Sequence, residues 1–184
     1  MSAPEIETPR LLLRDWRDDD LEPLAAICAD VECTRYMFGR MPLSRMEAAD
    51  ALERQREHWK TRGFGRWALE LRDTGGFAGW TGLRVVEHHR AISPGVEVGW
   101  LLDRALWGRG LATEAGAAGL AFGFETLGLE RILALYVPGN GASERVMTKL
   151  GMHFLTTTAD DRDGEPTNVM AIDRASWTAG RAER

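Results

Sequence analysis

The stretch from Val96 to Thr113, VEVGWLLDRALWGRGLAT, constrains this chain more than any other. Val96, Val98, Trp100 and Leu102 alternate with Glu97, Gly99 and Leu101, the period of two that a strand requires. A short loop leads to a glycine-rich turn, Trp107-Gly108-Arg109-Gly110-Leu111-Ala112, and then to small residues that read as a helix from Thr113 to about Thr126. The opening amides of a helix have no intrahelical partners, and a glycine turn lets them converge on one point with the helix dipole behind them. Strand, glycine turn and helix in that order form a ready anion site. The functional question is which phosphate the turn holds.

Spacing tests two familiar answers. The dinucleotide fingerprint requires Gly-x-Gly-x-x-Gly, and Thr113 stands where the third glycine belongs. A Walker-type loop requires Gly-Lys before Ser or Thr, and no Gly-Lys pair occurs in the chain. Both are poor fits. Residues Trp107 to Ala112 resemble instead the Q/R-x-x-G-x-G/A acyl-CoA pyrophosphate loop of the GNAT N-acetyltransferases. The continuation Gly-Leu-Ala-Thr-Glu-Ala, residues 110 to 115, is similar to the branch containing the RimJ/RimL protein N-terminal acetyltransferases. The resemblance runs from Thr8-Pro9-Arg10-Leu11-Leu12-Leu13-Arg14 to about Ile172, with a second matching block at Asn140-Gly141-Ala142-Ser143-Glu144-Arg145 through Met152. Trp107 departs from the pattern's Gln or Arg and cannot copy that side chain's hydrogen bonds.

The resemblance implies an α/β (α+β) GNAT fold: a mixed, mostly antiparallel sheet of six to seven strands flanked by about four helices. It implies acetyl-CoA as co-substrate and a primary amine as acceptor, on a small molecule or on a peptide or protein N-terminus. The cofactor contacts it implies are the backbone of Trp100, Leu101 and Leu102, the turn Trp107, Gly108, Arg109, Gly110, Leu111, Ala112 and Thr113, and the side chains of Asn140 and Ser143. Ser143 is the matching position for a serine that steers or protonates the departing thiolate. Glu97, a mid-strand carboxylate, is the general-base candidate, because burying it would cost several kcal/mol unless it were paired.

A chain of 184 residues, 44% hydrophobic and 28% charged, is expected to form one soluble acetyltransferase domain over 1–184. The net charge of −5 argues against nucleic acid as a partner. Between residues 100 and 150 five bases face five acids, so directed backbone amides, with Arg109 as local helper, must hold any coenzyme A. No secretory signal and no apolar run of about 20 residues is present. Cys28 and Cys33 match no metal spacing, and a reducing cytoplasm is the expected compartment. His88 and His89 are adjacent but lack acidic or cysteine ligands at metal spacing, so no metal is expected. Monomer and homodimer stay equally open.

In order, the chain predicts a first strand from Thr8 to Trp16 and an acidic helix start at Asp18-Asp19-Asp20 before Leu21 to Cys28. An irregular connector from Val31 to Met41 includes Phe38. A capping box at Ser44 and Glu47 then opens a helix reaching about Thr61. Strands Phe64–Leu71 and Phe77–Val86 are joined by the turn Asp73-Thr74-Gly75-Gly76. A buried strand, Arg131–Val137, follows the central stretch. Ser143, Val146, Met147 and Leu150 then share one helical face between an Asn140 cap and a Gly151 stop. Strands Met152–Thr158 and Asn168–Ile172 precede a frayed tail at 175–184.

Amine acetylation requires a deprotonated amine, a donor to the developing oxyanion and a proton for the leaving thiolate. An α-amine near pKa 7.7–8.0 needs ~3 kcal/mol less help to be neutral than a lysine near 10.4. One carboxylate and one serine therefore suit a peptide N-terminus or a weakly basic small amine better than a polyamine. Two other readings remain: an acyl-CoA-binding or sensing module without turnover, and a nucleotide-binding domain of another class.

Overall fold

The computed structural model describes residues 2–37 and 41–182. Its elements are β1 (Ile6–Glu7), β2 (Leu11–Arg14), α1 (Leu21–Ala29), α2 (Val31–Thr34), α3 (Arg45–Arg62), β3 (Arg66–Leu71), β4 (Phe77–Val85), β5 (Val96–Leu102), α4 (Leu111–Ala121), β6 (Arg131–Tyr136), α5 (Gly141–Lys149), β7 (His153–Ala159), β8 (Pro166–Asp173) and α6 (Arg174–Ala182). The sheet is eight-stranded, ordered β1-β2-β3-β4-β5-β6-β8-β7. The paired strands are mostly antiparallel, with β5 and β6 parallel where Glu97 faces Leu133.

The expected mixed α/β sheet is present, with corrections to the count. Eight strands replace six to seven because the two-residue β1 precedes the expected first strand and pairs antiparallel with it, Ile6 opposite Leu13. Six α-helices among the described residues replace about four. The connector after Asp30 holds the short α2, capped by the Asp30 carboxylate accepting from the Glu32 amide at 2.8 Å. Phe38, expected in that connector, lies outside the described residues. Within the segment expected to fray, residues 175–182 belong to the helix α6.

Two compact units make up the chain: Met1–Gly82 with Trp100–Ala115, and Leu83–Gly99 with Gly116–Arg184. In the first, Trp16, Leu24, Cys28, Leu52, Trp80 and Leu101 share one buried cluster. Helix α3 begins with the capping box anticipated from its spacing: the Glu47 amide donates to Ser44 Oγ, and the Ser44 amide donates to Glu47 Oε2 at 2.8 Å. It stops at Gly63, whose φ of 73° is the left-handed conformation that favours glycine. Trp59 is buried, and its indole donates to Arg66 O at 3.0 Å, so it is a core residue.

The acidic run before α1 does more than face a helix dipole. Asp18–Asp20 form a 3-10 turn, and Asp20 is 2% exposed. Its carboxylate receives both guanidinium branches of Arg14, at 2.7 and 2.8 Å, and the Arg17 amide at 2.8 Å. Arg14 also donates to Glu70 at 2.7 Å. Burial alone would lower the pKa of Arg14, but hydrogen bonds and charge from Asp20 and Glu70 outweigh it and raise it.

In the second unit, β8 lies between β6 and β7, and Val86, Leu133, Val169 and Ala171 form its buried cluster. After α4 the chain widens into a π-helical turn, Phe122–Thr126, at the end of the span expected to be helical. Gly123 sits where an added Cβ would lie 2.5 Å from Ile132 Cδ1, so close packing on β6 accompanies the wider turn. The face of α5 is as anticipated: Met147 and Leu150 are buried, Ser143 and Val146 half-buried. In α6 the Trp177 ring packs 5.1 Å from Phe124. His89 is buried against the β7–β8 connection, with Nδ1 3.1 Å from Ala159 O and Nε2 4.0 Å from Asp160, whose carboxylate Arg162 also engages.

Replacing Asp20 by Ala leaves Arg14 buried without its main counter-ion. Denaturant unfolding is expected to show a loss of about 3–5 kcal/mol, the usual cost of breaking one side of a buried pair. A loss below about 1 kcal/mol, the range of exposed pairs, would contradict the buried assignment.

Candidate functional site

Strand β5 delivers the chain to the glycine turn through a 3-10 turn, Arg104–Leu106, capped by Asp103, whose carboxylate accepts from the Ala105 amide at 2.8 Å. Trp107 through Gly110 are exposed, and Gly108 and Gly110 have φ of 74° and 78°. That left-handed geometry is why the turn needs glycine. Helix α4 begins at Leu111, two residues before the start read from periodicity, and Glu114 N donates to Gly110 O at 3.1 Å. The amides preceding Glu114 stand at the exposed N-terminus, where the macrodipole is positive. An added Cβ at Gly108 would meet nothing within 4 Å, so open space lies against the turn. The site fits the diphosphate of a coenzyme A.

Trp107 does not copy a Gln or Arg side chain, yet it makes a hydrogen bond of its own. Its indole N–H donates to Leu102 O at 3.0 Å, folding the turn back onto the end of β5. The Cys33 thiol lies 3.8 Å from the same oxygen. Leu101 O faces β4, where Gly79 approaches so closely that an added Cβ would lie 2.0 Å from it. Asp103 N also bonds to β4, at Ala78 O. Backbone groups alternate sides along a strand, so Trp100 and Leu102 turn away from β4, and the Leu102 carbonyl is already engaged. Of the three backbone positions expected to meet the cofactor, Leu101 points the other way. Trp100 and the Leu102 amide turn to the edge of β5 opposite β4.

A second group of residues braces the turn, and local pattern did not single it out. Arg10 Nη1 donates to Arg109 O at 2.7 Å, and its Nε and Nη2 donate to Glu114 Oε2, each at 2.7 Å. The Arg10 amide and the Thr8 hydroxyl donate to Glu114 Oε1 at 2.8 and 2.6 Å. Thr8 and Arg10 lie in the N-terminal matching block and Glu114 in the Ala-Thr-Glu-Ala run. Their juxtaposition is the only signal, and it spans 104 residues. Partial burial opposes ionisation of Glu114, but the hydrogen bonds from Thr8 and Arg10 outweigh it and hold its pKa below the ordinary value.

The remaining predicted site residues lie in the second unit. Glu97 is half-buried on β5, opposite Leu133. Asn140 caps α5, its Oδ1 accepting from the Ser143 amide at 3.2 Å. Capping occupies the Asn140 carbonyl, leaving its NH2 as the end with donors to offer a ligand. Ser143 is in the first turn of α5, half-buried. Cys28 and Cys33 are buried free thiols of the first unit. Burial, helped by Cys33, pushes the Cys28 thiol up to about 11, and burial also raises Cys33. Neither has the thiolate character of a nucleophile. Among the described residues, no group of three or more His, Cys, Asp or Glu could hold a metal ion, and no helix is long and apolar enough to cross a membrane.

A family model described as "Acetyltransferase (GNAT) domain" matches residues 10–153. YoaA of Bacillus subtilis (strain 168), described as an uncharacterized N-acetyltransferase, is 34% identical over 152 residues, covering 80% of this chain and 82% of its own. An acetyltransferase from Agrobacterium tumefaciens superposes with a TM-score of 0.79 at 27% identity, covering 94% of this chain and 95% of that one. RimL, described as a ribosomal L7/L12 alpha-N-protein acetyltransferase in complex with coenzyme A, shares the fold at a TM-score of 0.75 and 15% identity, covering 92% of this chain and 98% of that one. The chain belongs to the GNAT acetyltransferase family: it is a transferase of acyl groups.

Because its pKa is lowered in the folded protein, Glu114 contributes stability that is full above its ordinary value of 4.5 and is lost as pH falls through the lowered one. The stability difference between wild type and Glu114→Gln, followed by urea unfolding, is therefore expected to shrink as pH falls from about 6 to about 3. A difference that stayed constant across that window would mean that the carboxylate's ionisation is not linked to folding.

Proposed function

We propose that this protein transfers an acetyl group from acetyl-CoA to a primary amine by direct attack in a ternary complex. The observation that carries the reading is the glycine turn at the start of α4, left-handed at Gly108 and Gly110 and tied back by Trp107. Such a turn presents backbone donors to a diphosphate without needing a positive surface, in keeping with the acidic chain. Arg109, on the exposed turn, adds a local cation.

The other roles follow the family motif. Acetyl-CoA supplies an activated thioester. The outward-turned backbone N–H of Trp100 or Leu102 is the donor assigned to the acyl oxygen as negative charge develops there. Glu97, through water or directly, takes the ammonium proton so that the neutral amine attacks. Ser143 Oγ–H steers or protonates the departing thiolate, and the Asn140 NH2 donates to the pantetheine arm. The buried, high-pKa cysteines argue against an acetyl-cysteine step.

For the acceptor, a peptide or protein N-terminal α-amine or a small weakly basic amine is favoured. Its deprotonation asks ~3 kcal/mol less of the site than that of a lysine. RimL, which shares the fold and is described as an alpha-N-protein acetyltransferase, supports the same choice. The domain is proposed to act as one unit over 1–184, in the cytoplasm, as monomer or homodimer.

Gly110→Val forces a branched side chain into left-handed backbone and is expected to abolish acetyl-CoA binding in calorimetry. Wild-type affinity in that variant would refute the cradle. In a turnover assay over N-terminal peptides, aminoglycosides and polyamines, Ser143→Ala is expected to lower kcat by about 10- to 100-fold while leaving acetyl-CoA affinity within about twofold. Binding of acetyl-CoA without turnover of any amine by the wild type would favour a sensing module instead.

A further inference from the structure

The turn that would grip the diphosphate contains two glycines, and glycine populates both signs of φ at little cost. Rotating the Arg109–Gly110 peptide plane changes ψ of Arg109 and φ of Gly110, so the same sequence can present either face of that peptide to a ligand. In a trans peptide the C=O and N–H point in opposite directions. The observed orientation has Arg109 O turned to Arg10 Nη1, at 2.7 Å. The Gly110 N–H therefore points the other way, with Gly110 at φ 78°. The flipped peptide would withdraw a donor from an anion and aim a carbonyl oxygen at it.

Arg10 can hold that carbonyl because it is itself held. Its Nε and Nη2 both donate to Glu114 Oε2, and its own amide and the Thr8 hydroxyl donate to Oε1, completing the carboxylate's shell. Glu114 belongs to the first turn of α4, whose amide donates to Gly110 O. The brace thus links three points: the N-terminal segment, the turn's carbonyl and the helix that supplies the donors. The Arg10 side chain is 48% exposed and Glu114 13%, so the pair lies at the rim of the turn rather than in the core.

We propose that Arg10, held by Glu114 and Thr8, is a positioning residue for the cofactor: it locks the Arg109–Gly110 peptide in the orientation that binds the diphosphate. This rests on the acetyl-CoA reading above and adds to it a site of control outside the loop. Affinity for a partly populated binding-competent state falls in proportion to that population, so a lock that keeps the competent form dominant raises affinity without touching the ligand.

The rival account is simple attraction, in which Arg10 helps because it is positive and Glu114 hinders because it is negative. The two predict opposite signs for one substitution. Glu114→Gln removes a negative charge beside an anion site, so attraction alone makes acetyl-CoA bind tighter. Loss of the lock makes it bind more weakly.

The test is calorimetric affinity for acetyl-CoA in wild type, Arg10→Gln, Glu114→Gln, Thr8→Val and the Arg10→Gln/Glu114→Gln double variant, with apo thermal melts alongside. If the competent orientation falls to about a tenth of the population, Arg10→Gln weakens binding about tenfold. Glu114→Gln is expected to weaken it severalfold, and the double variant to be no worse than Arg10→Gln, as for residues acting through one contact. Thr8→Val, which alters no charge, is expected to weaken it about twofold to threefold and serves if a charge variant fails to fold. At saturating acetyl-CoA, kcat and the amine KM stay near wild type, a separation that general destabilisation would not produce. Tighter or unchanged binding in Glu114→Gln, or wild-type binding in Thr8→Val where neither charge variant folds, overturns the lock. Failure of the wild type to bind acetyl-CoA overturns the cofactor reading and the lock together.

Discussion

One oxygen organises the junction between strand and helix. The carbonyl of Leu102, at the end of β5, receives the indole of Trp107 at 3.0 Å and lies 3.8 Å from the thiol of Cys33. The first contact reverses the chain so that the glycine turn sits against the strand it has just left; the second ties that strand end to α2. Without the reversal, the amides at the start of α4 would have no fixed relation to the backbone of Trp100 and Leu102. A thioester reaction needs that relation, because donors contribute to rate only when they are already aimed where charge develops.

Charge is handled locally rather than as a field. The five bases and five acids between residues 100 and 150 cancel, and individual pairs then do specific tasks. Arg14 and Asp20 form a buried pair bridging β2 and the turn before α1. Arg10 and Glu114 form a half-exposed one at the glycine turn. The first holds the fold, since an orphaned charge there has no water to fall back on. The second contributes little energy by itself in solvent, but it holds Arg10 where its third donor meets the Arg109 carbonyl.

What could be read from the sequence was what local periodicity and capping chemistry encode. Ser44 with Glu47, the Asp73–Gly76 turn, Asn140 with its α5 face and the Gly108/Gly110 turn all declare themselves within a few residues, and all are present. Partners set by tertiary contact were not legible. Asp20 looked like one more acid at a helix start until Arg14 was found beneath it. Trp107 looked like a lost hydrogen bond until its indole reached Leu102. The terminal residues read as a tail because their helix depends on packing such as Trp177 on Phe124, which no local signal reports. Of the expected backbone contacts, only knowing that Leu101 O faces Gly79 separates it from Trp100 and Leu102.

The hairpin of β1 and β2 begins the chain, yet through Thr8 and Arg10 it reaches a loop made a hundred residues later. During synthesis, those donors emerge long before their acceptor exists, so the glycine turn is braced only after a large separation in sequence has been spanned. A change at Thr8 or Arg10 would therefore be felt at the glycine turn, through Glu114 and the Arg109 carbonyl. In this fold the shape of a late turn is written partly in an early hairpin.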